Sequence, residues 1–324
     1  MKNKDVLFLG NTNGYIEKLF KKEHRKILDI YINNISKSKI YIRKLHFLFN
    51  LPCKNYWYAL DNVDLTKYKL IVIFECLYPT YLISYLRKKT SARIIYWLWD
   101  PVKRINNGKI YNSFKENLKL NSLKKTKKYN CEIWSFDKLD CKKYGFLYNN
   151  QVTIKAILPP LSIEQDCLYV GHYKNSRDII LEKLGDILYK SNLSYYFCIV
   201  STNKTIQNNK YRNLSIINKE YTYSEILKCI SKSKCIIELV DKNQNGITWK
   251  PLEALFYKKK LITNYYKIKD YDFYDKRNIF ILGKDNINNL KTFINTPYVP
   301  INEKIIYKYT IDGWINNFLT KTQN

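Results

Sequence analysis

The sequence predicts an α/β protein made of two Rossmann-like domains, and three observations predict it. Short runs of β-branched and aromatic residues alternate with longer segments of helical periodicity, the pattern of parallel strands joined by crossover helices. The alternation occurs in two half-chains, separated by an extended stretch with Asn149-Asn150 at one end and Pro159-Pro160 near the other. The length of 324 residues and a hydrophobic content of 46% allow two substantial cores and exclude general disorder. The expected domains are residues 1–150, a hinge at 151–165, a second domain at 166–300 and a C-terminal helix within 301–324.

Charge and cysteine usage narrow the function classes. The formal net charge is +28, from 56 Lys and Arg against 28 Asp and Glu, which favours anionic partners. The sequence is also saturated with Lys, Asn, Ile and Tyr, a bias that an AT-rich genome produces without selection for function, so part of the charge need not be functional. The cations are spread along the chain and no nucleic-acid-binding motif appears, so no specific nucleic acid is expected. Eight cysteines lie scattered with no Cys-x-x-Cys and no Cys/His cluster at zinc spacing; they read as small buried hydrophobes in a reducing compartment. The apolar run after Met1 is too short for a signal peptide, and no stretch offers the roughly 18 apolar residues of a spanning helix. The expected location is the cytoplasm, either free or on an anionic membrane surface.

In the first half, Asp5 to Gly10 reads as a strand that runs into a tight loop from Gly10 and Asn11 to Gly14, then a helix from Tyr15 to about Ile27. Ser36 to Asn50 mixes apolar residues and cations at helical spacing, either as a surface helix covering the sheet or as a basic amphipathic helix touching anionic lipid. His46 within it reads as a packed side chain. Lys69 to Phe74 is a buried-type strand ending at Glu75, and Ala92 to Trp99 is another ending at Asp100. Residues just past the carboxyl ends of parallel strands line the ligand crevice of an open α/β sheet, which makes Glu75 and Asp100 candidates for a general base or an acceptor-orienting group. Each also suits a helix cap or a turn. Cys131 to Phe136 is a strand, followed by a short helix that Asp137 caps and that ends near Gly145.

In the second half, Cys167 to Val170 reads as a strand, Gly171 to Arg177 as a loop and Asp178 to Tyr189 as a helix. Lys174 and Arg177 stand where the helix begins, and an arginine there is unfavourable against the dipole unless an anion offsets it. Further units are strands at Tyr195–Val200 and Leu214–Ile217, a helix at Tyr223–Ser231, and the unit Cys235 to Thr263. That unit runs strand, polar loop, Gly246, a helix from Trp249 to Tyr257, and a strand at Lys260–Thr263. Thr248 is the expected N-cap and Pro251 lies in the first turn. The helix start, the Thr248 hydroxyl and the Lys250 ammonium together favour phosphate, and Glu253 one turn on suits a sugar or ribose diol. The plainer alternative is that Thr248 caps, Lys250 is solvated and Glu253 complements the dipole. Asn278 to Leu282 is a last strand, and Glu303 to Leu319 a helix with a break expected at Gly313.

The run Gly246-Ile-Thr248-Trp-Lys250-Pro-Leu-Glu253-Ala-Leu255, followed by a basic turn and Leu261-Ile-Thr263, resembles the donor-site segment of GT-B glycosyltransferases of bacterial lipopolysaccharide and capsular polysaccharide biosynthesis. Trp134 to Gly145 is similar to the same group. Val170-Gly171 with Arg177 six residues on resembles the opening of their donor domain, where a basic side chain reaches the donor phosphates. The resemblance implies a GT-B fold with two Rossmann-like domains facing a central cleft. It implies a nucleotide-sugar donor held by Gly171, Lys174, Arg177, Gly246, Thr248, Lys250 and Glu253. Gly10 and Asn11 would lie on the acceptor side, and the C-terminal helix would cross back onto the first domain. The implied reaction moves a sugar to a surface glycan or its lipid-linked precursor. The nucleotide sugar is a substrate, so no cofactor is expected. No Asp-x-Asp motif stands at a strand end, so no metal is expected either.

Three other readings stay open. A transferase of polyol phosphate would use the same anion loops, although the three histidines, His24, His46 and His172, form no recognisable motif. A basic nucleic-acid-binding protein would account for the charge and the aromatic residues together. A catalytically inactive scaffold of the same fold would bind only a partner enzyme.

Overall fold

The structure is a computed structural model that describes residues 5–10, 20, 25–33, 35–76, 78–102, 117, 120–174, 176–201, 210–240 and 245–320. Asn11, and the helix expected from Tyr15, fall outside the described residues. The chain divides into two compact units, Met1–Asn150 and Gln151–Asn324.

The first unit holds a six-stranded sheet of β1 (Val6–Gly10), β2 (Ile27–Asp29), β3 (Leu70–Phe74), β4 (Arg93–Leu98), β5 (Cys131–Ser135) and β6 (Leu147–Tyr148). The spatial order is β2-β1-β3-β4-β5-β6 and every pairing is parallel. All-parallel sheets are covered on both faces, which is why these strands are unbroken apolar runs. Alternate residues feed two layers. Leu7, Leu9, Ile71, Ile73, Ile94 and Tyr96 join one core cluster, while Phe8 and Phe74 stack at 5.7 Å with Phe20 edge-on to both. Its helices include α1 (Lys37–Leu48), α2 (Pro79–Arg87) and α3 (Lys138–Tyr144), and residues 120–126 are helical as well. Ile27, expected at the end of a helix, instead pairs with Phe8 in β2. Asp137 caps α3 by accepting from Leu139 N and Asp140 N, and Gly145 closes it in the left-handed conformation at φ 67°.

The second unit holds β7 (Gln165–His172), β8 (Tyr195–Val200), β9 (Ser215–Ile217), β10 (Ser233–Glu238), β11 (Lys260–Thr263) and β12 (Ile279–Ile281), also all parallel, in the order β12-β11-β10-β7-β8-β9. Counted from β7, this is the Rossmann order 3-2-1-4-5-6. The helices are α4 (Arg177–Lys190), α5 (Tyr223–Ser231), α6 (Trp249–Phe256), α7 (Leu290–Asn295), α8 (Glu303–Tyr307) and α9 (Ile311–Thr320). A reciprocal capping box between Thr222 and Glu225 starts α5. Ile306 and Tyr309 pack into this unit's own core, and Asp272 receives hydrogen bonds from Lys308 and Tyr309. The expected helix at the C-terminus is two helices, and the break falls at residues 308–310 rather than at Gly313. Gly313 lies within α9, where a Cβ would come within 1.9 Å of the Tyr307 carbonyl oxygen.

Candidate functional site

In a doubly wound sheet, ligands bind beyond the carboxyl ends of the strands where the strand order reverses. In the second unit that point lies between β7 and β10, and most of the candidate donor residues stand around it. Gly171 is not in a loop as expected: β7 continues to His172, with Gly171 paired to Ile199. A Cβ on Gly171 would come within 2.9 Å of the Tyr169 hydroxyl, so the glycine leaves room for that ring. Tyr169 is buried, and the Lys250 ammonium sits 4.0 Å from its ring centroid.

Arg177 is the first residue of α4, after Ser176 in the left-handed conformation at φ 63°. One of its terminal nitrogens donates to the His172 carbonyl at 3.3 Å. Its Nε is buried and has no hydrogen-bond partner among the described residues. Lys174 is exposed, and its carbonyl accepts from Arg177 N. Arg177 and Lys250 are close enough to repel each other. Burial, first, and this repulsion, second, push the Lys250 ammonium down to about 8, against the opposing pull of Glu253 and Glu238. Two cations brought together with an unpaired buried guanidinium N–H form an arrangement that an anion would stabilise.

Glu253, on the second turn of α6, is 7% exposed. Burial pushes its carboxyl up to about 7, with Lys250 acting in the other direction. No side-chain hydrogen-bond partner for Glu253 is found among the described residues.

Thr248 is the N-cap of α6, as expected, and accepts from Lys250 N at 3.3 Å. Its hydroxyl hydrogen does not face outward, however: it is donated to Glu238 Oε1 at 2.5 Å. Thr248 N also donates to that oxygen, and Pro251 has no N–H, so much of the expected set of free donors at the helix start is engaged within the protein. Gly246 is buried just before this turn.

Glu238 was not among the sequence candidates. It closes β10, is 1% exposed, and accepts from Thr248 at the start of α6 and from Thr263 at the end of β11. It therefore fixes the helix start that carries Lys250 against two strand ends. Its signal in the sequence was a charged residue inside the buried run Cys235 to Val240. Asn264 pins the next stretch by bonding both Val240 N and Val240 O.

In the first unit the strand order reverses between β1 and β3. Gly10 ends β1 and is buried, and Glu75 follows directly after β3. Asp100 lies two residues past β4, the neighbouring strand. Both acids are half-buried. Glu75 does not cap α2: the cap position is Tyr78 in the left-handed conformation, with no side-chain hydrogen bond. The turn after Glu75 is held by the buried Tyr96 hydroxyl, which bonds both Cys76 N and Cys76 O at 2.9 Å. His46 is a packed side chain, as expected. Its Nδ1 accepts from Trp57 Nε1 at 2.9 Å and its Nε2 bonds the Pro52 carbonyl, which fixes the neutral tautomer. Among the described residues no three His, Cys, Asp or Glu side chains converge as a metal-ligand set.

No family model matches the chain, and no curated protein sequence does. Solved structures do. Sucrose-phosphate synthase from Thermosynechococcus elongatus superposes with a TM-score of 0.51 at 10% identity, covering 89% of this chain and 88% of that one. The T4 phage BGT in complex with its UDP-glucose substrate gives a TM-score of 0.43 at 14% identity, covering 90% and 87%. TarM of S. aureus, in a complex that contains UDP, gives 0.49 at 15% identity over 77% of this chain and 54% of that one. The first of these likenesses shows a shared fold, the two-domain α/β architecture of GT-B proteins.

Proposed function

We propose that the chain is a glycosyltransferase that takes a sugar from a nucleotide-sugar donor and passes it, in the cytoplasm, to a surface glycan or its lipid-linked precursor. The observation that carries the reading is the pairing of Arg177 and Lys250 beyond the carboxyl ends of β7 and β10, with the carboxyl of Glu253 buried beside Lys250. The two cations would hold the diphosphate, and Glu253 would accept hydrogen bonds from donor hydroxyls.

In the proposed reaction the bond from the anomeric carbon to the diphosphate breaks, and its electron pair leaves on the diphosphate oxygen. Arg177 and Lys250 would stabilise the charge that develops there. An acceptor hydroxyl forms the new bond to the anomeric carbon and loses its proton, for which Glu75 and Asp100 are the proposed acceptors. A thermal-shift screen of UDP, GDP, CDP, CMP and dTDP with their common sugars tests the reading. One nucleotide is expected to raise the midpoint, and Arg177→Ala and Glu253→Ala are each expected to abolish the rise. Folded protein that responds to none of them contradicts it.

A further inference from the structure

Two basic stretches of the first unit are fastened side by side. One is α2 with Lys88 at its end, and the other is the helical stretch 120–126 with the turn Lys127–Tyr129. Near one end of the contact the Thr80 hydroxyl donates to the Ser122 carbonyl at 2.8 Å. At the other end the Arg87 guanidinium spans the two stretches. Its Nε donates to Tyr129 O at 3.0 Å, Nη2 to Asn130 O at 3.0 Å and Nη1 to Ala92 O at 2.9 Å. The arginine is thus spent on backbone carbonyls, and the lysines stand outside.

Lys88, Lys124, Lys125, Lys127 and Lys128 are all exposed, and none has a carboxylate partner among the described residues. The spacing of Lys124, Lys127 and Lys128 at i, i+3 and i+4 places them on one face. The Tyr129 phenol joins that face to Lys88. It is held below its ordinary value, first by a hydrogen bond with Ser84 and then, against the effect of burial, by the Lys128 and Lys88 ammonium groups. The sequence has no Asp or Glu from residue 76 to 99 or from 117 to 131. Nearby acids are engaged, Asp61 by Tyr85 and Lys89, and Glu132 by Arg93 and Trp134. Like charges held this close repel, so the fold maintains a face that an anion would stabilise.

The chemistry of the face narrows the anion. Among the described residues no large hydrophobic side chain is exposed between Tyr56 and Leu139, so nothing here would enter an acyl boundary or form the apolar centre of a protein interface. Tyr129 is half-buried, which leaves no open ring for a base to stack on. The exposed cations are all lysines, point charges on flexible stems that accept anions at varied spacing and angle, where arginine forks would select one planar geometry. A hydrophilic chain with repeated charges meets these conditions.

We infer that this face binds an acidic glycan and anchors the charged chain to which the sugar is added. The role as acceptor rests on the proposed transfer reaction, whereas the binding does not. Lys88 precedes β4 and Lys127 and Lys128 precede β5, at the edge of the sheet opposite Glu75 and Asp100. Strands of five and six residues separate the two edges, roughly 15–20 Å. The face therefore grips the chain away from its reacting hydroxyl.

The test is fluorescence anisotropy of labelled oligogalacturonate with the full chain and no nucleotide, so that its outcome is separate from that of the donor site. Binding is expected, weakening as salt rises, with none to a neutral dextran fragment of the same length. Lys124→Gln/Lys127→Gln/Lys128→Gln should weaken it roughly tenfold or more without lowering the thermal midpoint, and replacing the same three with arginine should retain it within about twofold. Lys37→Gln/Lys39→Gln/Lys44→Gln removes equal charge from exposed positions on α1 and should also stay within about twofold. Absence of oligogalacturonate binding overturns the inference, as does an equal loss in the α1 control, which would make the attraction one of net charge alone. Displacement of the bound glycan by a lower concentration of duplex DNA also overturns it, by assigning the lysines to a nucleic acid.

Discussion

Lys250 provides the sharpest quantitative test, because its charge is both what a diphosphate would bind and what the free site holds weakly. Burial and the neighbouring Arg177 push the ammonium down to about 8. A bound diphosphate would offset both effects and return the group toward its ordinary value. The charged form therefore predominates below about 8 and is lost as pH rises through it, so affinity is full on the acid side and falls on the alkaline side. The free site is about half charged at pH 8 and about one-eleventh charged at pH 9, so the apparent Kd of a nucleoside diphosphate should weaken roughly fivefold across that interval, about 1 kcal/mol. Glu253, pushed up to about 7, has largely finished titrating by pH 8 and contributes little in this window. Calorimetry in buffers of different ionisation enthalpy should find the uptake of about 0.9 proton per nucleotide bound at pH 9. Lys250→Arg keeps its charge throughout and should flatten the dependence. A Kd that is level from pH 8 to 9, with no proton uptake, would exclude the Lys250 ammonium from the diphosphate site, and so would an unchanged slope in Lys250→Arg.

Other outcomes follow from the same geometry. Glu238→Ala strands the hydroxyls of Thr248 and Thr263 in a buried site and should cost about 2–4 kcal/mol in urea unfolding, whereas Glu238→Gln should cost much less. Gly313→Ala places a Cβ against the Tyr307 carbonyl and should lower stability by at least about 1–3 kcal/mol, despite alanine's better helix propensity. Asp137→Ala removes the acceptor for two backbone N–H groups and should cost about 1 kcal/mol, with Asp137→Asn close to neutral.

The fold was largely legible because parallel strands buried on both faces must be continuous apolar runs, as Lys69 to Phe74 and Ala92 to Trp99 are. Tyr223 to Ser231 was legible as a helix, and the structure adds the Thr222/Glu225 box that starts it. The strand Ile27–Asp29 was not, because three residues carry no period and only its edge position beside β1 makes it a strand. The interruption between α8 and α9 was expected at Gly313 because glycine usually marks a helix break. Here it answers instead to the close approach of a carbonyl from the preceding helix. At the candidate site, the motif spacing pointed to Arg177, Lys250 and Glu253. Glu238 was hidden because its partners, Thr248 and Thr263, come together only when β10 and β11 pair in register. The use of the Thr248 hydroxyl by Glu238 was invisible for the same reason.

The proposed nucleoside diphosphate site lies beyond the carboxyl ends of the paired strands β7 and β10. Its most direct test is a crystal structure with whichever nucleotide gives the largest thermal shift. Diphosphate oxygens are expected within hydrogen-bond reach of the Arg177 guanidinium and the Lys250 ammonium, with Glu253 accepting from a ribose or sugar hydroxyl. A nucleotide bound elsewhere on the chain, with Arg177 and Lys250 uninvolved, would contradict it.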